Sequence, residues 1–499
     1  MKKYFLLIGV IIFTGCAESK VPAPEKPRTI ITTDGEVDDM DSFIRMLFYA
    51  NEFNIESLVY SSSMWHYSGD GKGTPFISEM PMTEKMFGQR TDLRWPGTTW
   101  MEEMIDKYAV VYPSLLKHDK QYPSPDYLKS VIRIGNIEFE GEMLKDTEGS
   151  DFIRSVLLDD NAEPVYIQMW GGTNTAARAL RSIEDQFKGT PVWNDIYKKV
   201  SDKTIMYLIM DQDATYKKYV AVNWPDIKVI YNSTQFGSVA YWWYRTVPEE
   251  LHKYLNGQWS SENILFNHGP LLEAYFTWGD GRQIAGDPDH THGLPDEAAR
   301  NGRAKYDFLS EGDSPSYFYL LNFGIGSPED PSCGGLGGRF VQSAVTPSRW
   351  EDGRNVTDMN PYSGKPEPSY PQVRWIETLQ NDFAARADWC VMDYDKANHA
   401  PVVKLKHLYN LSAKPGEKVR LSGTATDPDG NQLKYLWWQY KEAGTFTESV
   451  NIENAGNKNI SIVIPAGAEK GKTIHMILQV TDDGIPSLTR YQRVIITVI

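Results

Sequence analysis

The chain predicts an α/β domain built on a mostly parallel sheet flanked by helices, followed by a smaller all-β sandwich. Three observations carry this. Short β-branched runs alternate with amphipathic stretches from residue 28 to about 230, the pattern of a parallel sheet covered on both faces. The first run, Ile30-Ile31-Thr32-Thr33, ends in three aspartates within six positions, Asp34, Asp38 and Asp39, just before a helical pattern. Beyond residue 398 the period changes to two, with turn signals between the runs.

The strand candidates are residues 29–33, 55–61, 165–170, 204–210 and 227–231. Helical patterns fall between them at 42–52, 151–158, 175–183 and 216–222. Residues 62–125 are rich in Gly, Pro, Met and Trp and too long for an ordinary connection, which predicts an insertion near the ligand edge. From 231 to 389 aromatics are dense, as in Tyr241-Trp242-Trp243-Tyr244, and short helices with long ordered loops are expected. A break follows at Asn398-His399-Ala400-Pro401. Val419, Leu421, Gly423 and Ala425 then alternate with polar residues, and Met476, Leu478 and Val480 alternate with His475, Ile477 and Gln479. Trp437 and Trp438 must face opposite ways in one strand, one into the core and the other exposed or covered.

Length and composition bound the rest. At 499 residues two or three domains are expected, and 41% hydrophobic residues support packed cores. Lys2-Lys3, the apolar run Phe5 to Phe13 and Thr14-Gly15-Cys16 read as a lipoprotein signal peptide over 1–16, with Cys16 lipidated. Residues 17–28 read as a tether, 29–397 as the α/β domain and 398–499 as the sandwich. The expected location is the cell envelope, lipid-anchored, in the outer membrane of a Gram-negative bacterium. A formal charge of −15 argues against nucleic acid. Cys333 and Cys390 remain after processing, and their pairing is open.

Three constellations point to chemistry. Asp34, Asp38 and Asp39 sit where ligands bind in an open α/β sheet. Gathered carboxylates repel unless a cation or hydroxyls hold them, and hard cations such as Ca²⁺ take oxygen ligands. Trp170-Gly171-Gly172-Thr173-Asn174 follows an apolar strand and opens a helix. Glu311-Gly312-Asp313-Ser314-Pro315 opens another. Each has a plainer reading, as helix caps or turns. Gln212, after the strand at 204–210, is placed to reach sugar hydroxyls, and Trp65 and Trp170 to stack on a sugar face. His66, His268, His290 and His292 fall in loops, where most histidines are solvated.

The first motif resembles the aspartate cluster of nucleoside hydrolases, Asp-x-Asp-x-Gly-x-Asp-Asp, which holds one calcium and the ribose. The chain is most similar to bacterial nucleoside hydrolase-like proteins often labelled cellulose-binding, which carry a C-terminal immunoglobulin-like domain. The sandwich itself resembles immunoglobulin-like modules of the PKD or cadherin type. Thr173-Asn174 matches the family's Thr-Asn, and Asp313 its late aspartate. Thr32 departs from the first aspartate, Gly35-Glu36 from Pro-Gly, and Gly312 from a histidine linked to leaving-group handling.

The resemblance implies Ca²⁺ held by Asp34, Asp39, Asp313 and the Thr173 carbonyl. It implies Asp34 as general base and Asp38 on a sugar hydroxyl, with Asn174, Trp170, Gln212 and Glu311 contacting substrate. The expected activity is calcium-dependent hydrolysis of glycosyl or N-glycosyl bonds on a nucleoside or carbohydrate. The alternative is a non-catalytic binder of a cellulose-like polysaccharide. An oligomer is compatible with the family.

Overall fold

The computed structural model describes residues 26–284, 290–326 and 330–499. The expected signal peptide with Cys16, and most of the tether, lie outside them.

The α/β unit runs β1 (Arg28–Thr33), α1 (Val37–Phe48), β2 (Asn54–Tyr60), α2 (Trp100–His118), β3 (Ile132–Ile134), α3 (Glu148–Leu158), β4 (Val165–Met169), α4 (Asn174–Phe187), α5 (Trp193–Lys203), β5 (Thr204–Ile209), β6 (Lys228–Asn232), β7 (Val341–Gln342), β8 (Arg349–Glu351) and α6 (Ile376–Trp389). The sheet order is β3-β2-β1-β4-β5-β6-β8-β7, parallel throughout except for the edge strand β7. β1 lies at the centre, so its C-terminal end, with Asp34, opens into the middle of the ligand edge.

Successive β1 residues serve opposite layers. Ile31 packs with α1 and α2 on one face, and Ile30 with α3 and α4 on the other. That is why these strands read as continuous apolar runs. Helix α1 begins at Val37, earlier than the periodicity placed it. Asp38 and Asp39 occupy its first turn, where carboxylates complement the exposed N–H groups. Several elements escaped the sequence pattern, β3 and α6 among them. β3 is only three residues long, and α6 is buried on nearly every face, so it carries no amphipathic stripe. Within 62–125 the chain forms α2, which carries Pro113 inside it.

The sandwich has two sheets. β9 (Val402–Leu405), β11 (Lys418–Thr426), β14 (Asn459–Val463) and β13 (Ile452–Glu453) form one in the order β9-β11-β14-β13. β10 (Asn410–Ala413), β16 (Thr489–Val498), β15 (Thr473–Asp482) and β12 (Leu433–Gln439) form the other in the order β10-β16-β15-β12. Trp437 fills the sandwich core, while Trp438 is covered by Trp375 of the α/β unit, 6.3 Å between ring centroids. His475 and Ile477, on the outer face of β15, are buried as well, because that face docks on the α/β unit.

Polar groups fix the docking. Arg493 donates to the carbonyls of Ile325 and Gly334, both at 2.9 Å, and Tyr440 donates to Asp358 at 2.7 Å. Asp382 of α6 takes Arg386 at 3.0 Å and Arg490 of the sandwich at 2.8 Å. Cys333 and Cys390 are both buried, and no disulfide joins them to each other. No helix of the described residues is long and apolar enough to cross a membrane.

Gly324 has φ +82°, and a Cβ there would overlap the Tyr491 carbonyl. Gly324→Ala is expected to lower stability by about 2 kcal/mol, from backbone strain and a displaced sandwich. Urea unfolding measures it, and an unchanged midpoint would show that the docking does not depend on this approach.

Candidate functional site

Four of the expected residues come from two connections at the ligand edge. β1 passes through Gly35 at φ +80°, a left-handed turn between strand and helix in which a Cβ would meet Pro96 at 2.7 Å. That turn sets Asp34 at the strand end and Asp38 and Asp39 on the first turn of α1. Asp313 arrives from the connection before the short helix Pro315–Phe318. Ser314 occupies the N-cap of that helix, so Asp313 does not cap it.

Asp38, Asp39 and Asp313 bring one carboxylate oxygen each to within 4.8 Å of one another, all three largely buried. Burial, reinforced by the neighbouring carboxylates, pushes each of the three well above the usual carboxylate range. Asp34 adjoins this trio through Asp39. Burial opposes its charge, but His66, 3.5 Å away, and the Ser63 hydroxyl hold it below the usual range. Of the expected ligands, Asp39 and Asp313 lie in the trio, with Asp38 as its third member and Asp34 beside it. His66 is fully buried rather than solvated, and serves Asp34.

Three glycines permit the close packing. A Cβ on Gly171 would sit 2.9 Å from the Asp34 side chain. One on Gly172 would strike the Ser62 carbonyl and Asp213. One on Gly312 would sit 2.6 Å from Asp38 Oδ2. A histidine at position 312 is thus incompatible with this placement of Asp38. Thr173 opens α4; its carbonyl accepts the Ala177 N–H at 2.9 Å and its hydroxyl is buried without a partner.

The trio lies in the wall of a cavity of about 670 Å³. Trp65, Trp170, Phe236, Tyr241 and Trp242 give it an aromatic lining, and Arg90 and Arg94 come from the long insertion. Tyr241 donates to Glu36 at 3.1 Å and to Asp38 at 3.4 Å, and stacks on His292, 4.9 Å between centroids. Trp170 and Gln212 line the cavity. The Trp170 indole N–H donates to Ser316 at 2.8 Å, and the Gln212 amide nitrogen to the Trp170 carbonyl at 2.6 Å.

Two residues expected to contact substrate do not line the cavity. Glu311 is fully buried against Arg45 at 3.0 Å, with hydroxyls of Tyr275 and Ser314 on the same carboxylate. Arg45 in turn is held over Phe383 at 4.5 Å and Phe318 at 4.8 Å, beneath α1. Asn174 is also buried and fully engaged: its oxygen takes Ser61 and the Thr175 N–H, its nitrogen reaches Ser62 and the Asn136 carbonyl. Both build the scaffold. Of the loop histidines, His268 bonds Ile264 and Asp388, and only His292 lines the cavity among the described residues.

Sequence reasoning missed Ser63, Tyr241, Trp242, Arg90 and Arg94 as site residues. The aromatic density at 241–244 was the one visible signal.

An oxygen-only donor set of three buried carboxylates fits a hard divalent cation. Since the folded-state carboxyls are raised, the metal-free cluster is most favourable below the unfolded pKa of about 3.9, and that contribution is lost as pH rises through the folded values. A cation competes with those protons. A divalent ion is therefore expected to raise Tm more at pH 8 than at pH 5, read by thermal unfolding with and without chelator; an equal rise at both pH values would count against binding at the trio. Gly312→Ala is expected to weaken that binding about 10-fold or more by displacing Asp38, a loss near 1.4 kcal/mol measured by calorimetry; unchanged affinity would show that Asp38 is placed without this contact.

Residues 28–340 match the family described as cellulose-binding Sde182, nucleoside hydrolase-like domain, and residues 418–498 the cellulose-binding protein Sde0182, C-terminal domain. Among solved structures, a nucleoside hydrolase-related hypothetical protein from Saccharophagus degradans, associated with carbohydrate metabolism, is 26% identical. The match covers 95% of this chain and 100% of that one, with a TM-score of 0.70. A plant nucleoside hydrolase is 10% identical, covering 71% of this chain and 99% of that one, with a TM-score of 0.32. No curated protein matches. With the first match spanning well over half of its length, the chain belongs to the cellulose-binding Sde182 family, with its nucleoside hydrolase-like domain and C-terminal domain.

Proposed function

We propose that the chain is a calcium-dependent hydrolase of glycosyl or N-glycosyl bonds, acting on a carbohydrate or nucleoside at the cell envelope. The observation that carries this is the buried trio Asp38, Asp39 and Asp313 in the wall of an aromatic-lined cavity. The three carboxylates would hold the ion, with the Thr173 carbonyl and Asp34 close by. Bound calcium would supply positive charge that lowers the energy of anionic oxygen and orients sugar hydroxyls.

The residues would divide the remaining work. Asp38, already accepting from Tyr241 and Ser310, would accept a sugar hydroxyl. Trp65 and Trp242 would stack on the sugar face and exclude water. Asp34, kept ionised by His66 and Ser63, would take the proton of the attacking water as general base. The anomeric carbon would pass through an oxocarbenium-like state. Lipidation at Cys16 and an outer-membrane location belong to this proposal on the strength of the N-terminal sequence.

Gly312 favours a second reading, a calcium-dependent carbohydrate binder without turnover. The site lacks the histidine that handles the leaving group in the resembling enzymes, and a Cβ at that position would overlap the Asp38 carboxylate. Release of free sugar from nucleosides and aryl furanosides, with calcium and with chelator, separates the two. Asp34→Asn is expected to lower turnover by about 10²–10⁴-fold with sugar affinity kept. Calcium-dependent affinity for soluble oligosaccharides without any release in the wild type would establish the binder and reject the hydrolase.

A further inference from the structure

Hydrolysis of a glycosyl bond needs two proton movements. A base takes one from the attacking water, and an acid gives one to the departing group. Asp34 has the first role in the hydrolase proposed above, and the second is unassigned. Arg90 and Arg94 line the cavity but hold their protons at any working pH. Among the described residues, His292 is the one imidazole in the cavity wall.

The chain holds this ring from several sides. The Gly279 N–H donates to the His292 carbonyl at 3.0 Å, and the Gly281 N–H to the Gly293 carbonyl at 2.7 Å. Gly293 lies so close to the Arg282 carbonyl that a Cβ would strike it. The imidazole lies flat on Tyr241, 4.9 Å between centroids and 19° between planes, and Trp278 packs across it at 4.9 Å and 85°. The Tyr241 hydroxyl reaches Glu36 and Asp38, so one stacked ring separates His292 from the carboxylates. His290, 1% exposed, stands behind, with the two Nδ1 atoms 3.3 Å apart. A single hydrogen lies between them. When His292 donates it, His290 accepts through Nδ1, and His292 keeps a second hydrogen on Nε2. The two nitrogens of an imidazole point nearly opposite ways, so Nε2 is turned from His290 toward the cavity. The Tyr241 face lies within the roughly 6 Å reach of a cation–π contact and suits the doubly protonated ring.

We propose, resting on the hydrolase reading, that His292 is the acid that protonates the leaving group, with His290 and Tyr241 positioning it. The bond from the anomeric carbon to the leaving oxygen or nitrogen breaks, and its electron pair stays with the leaving atom. That atom takes the Nε2 proton of His292. The water oxygen bonds to the anomeric carbon and gives a proton to Asp34. His292 is left neutral, and the proton on Asp34 returns to it through solvent. Cleavage thus consumes one water and leaves both side chains as they began.

The full chain is assayed on phenyl and 4-nitrophenyl furanosides, since phenol departs poorly without a proton and 4-nitrophenol departs well. His292→Gln is expected to lower kcat/KM by about 10²–10⁴-fold on the phenyl substrate and by less than about 10-fold on the 4-nitrophenyl one. A ring that only supported the wall would depress both alike, so an equal loss, or none, overturns the assignment. The selective loss appearing with Glu36→Gln and not with His292→Gln equally overturns it. The wild type covers a variant that fails to fold. Across substituted phenols its kcat/KM is expected to change little with phenol acidity, and a steep dependence would mean departure without an acid and overturn the assignment. No turnover of any substrate by the wild type would reject the hydrolase and this acid with it, whereas wild-type turnover without selective loss in His292→Gln rejects the acid alone.

Discussion

The carboxylates of Asp38, Asp39 and Asp313 repel one another inside a buried pocket, and the chain around them is arranged to hold that repulsion. The central strand delivers Asp34 to the middle of the sheet edge, and a left-handed turn at Gly35 brings Asp38 and Asp39 round on the first turn of α1. That helix cannot move away. Arg45 on it is locked to Glu311 and to the Leu379 carbonyl of α6, with phenylalanine rings on the guanidinium. The same Glu311 lies two residues before Asp313. One buried ion pair therefore fixes the spacing between the two halves of the site, and truncating either partner would leave an uncompensated charge.

Close approach supplies the other half of the constraint. Gly171, Gly172 and Gly312 let backbone pass where a side chain would overlap Asp34, Asp213 and Asp38. At position 312 a Cβ would overlap the Asp38 carboxylate. The glycine at 312 is thus part of the geometry of the cluster.

The sandwich is bound to this frame through α6. Arg386 and Arg490 share Asp382, and Arg493 inserts between carbonyls of the α/β unit. The outer face of β15 consequently loses its solvent. This explains why His475 and Ile477 are buried although their period-two pattern marks them as the face opposite the sandwich core. It also explains why Trp438 is covered by Trp375 instead of being exposed to a glycan.

The sequence by itself determined the α/β class, the positions of its central strands, the β-sandwich and the aspartate motifs, because local periodicity and turn residues act over a few positions. It also marked Gly171, Gly172 and Asp313. Tertiary structure decided which carboxylates meet: Asp38, Asp39 and Asp313 converge, with Asp34 beside Asp39 and held by His66 and Ser63. It decided that Glu311 and Asn174 are scaffold, because their partners Arg45 and Ser61 lie 266 and 113 residues away. It hid α6, whose burial on all sides erases the stripe by which a helix is read. Contacts between distant segments set burial, and burial sets charge; neither is encoded in the spacing of residues along the chain.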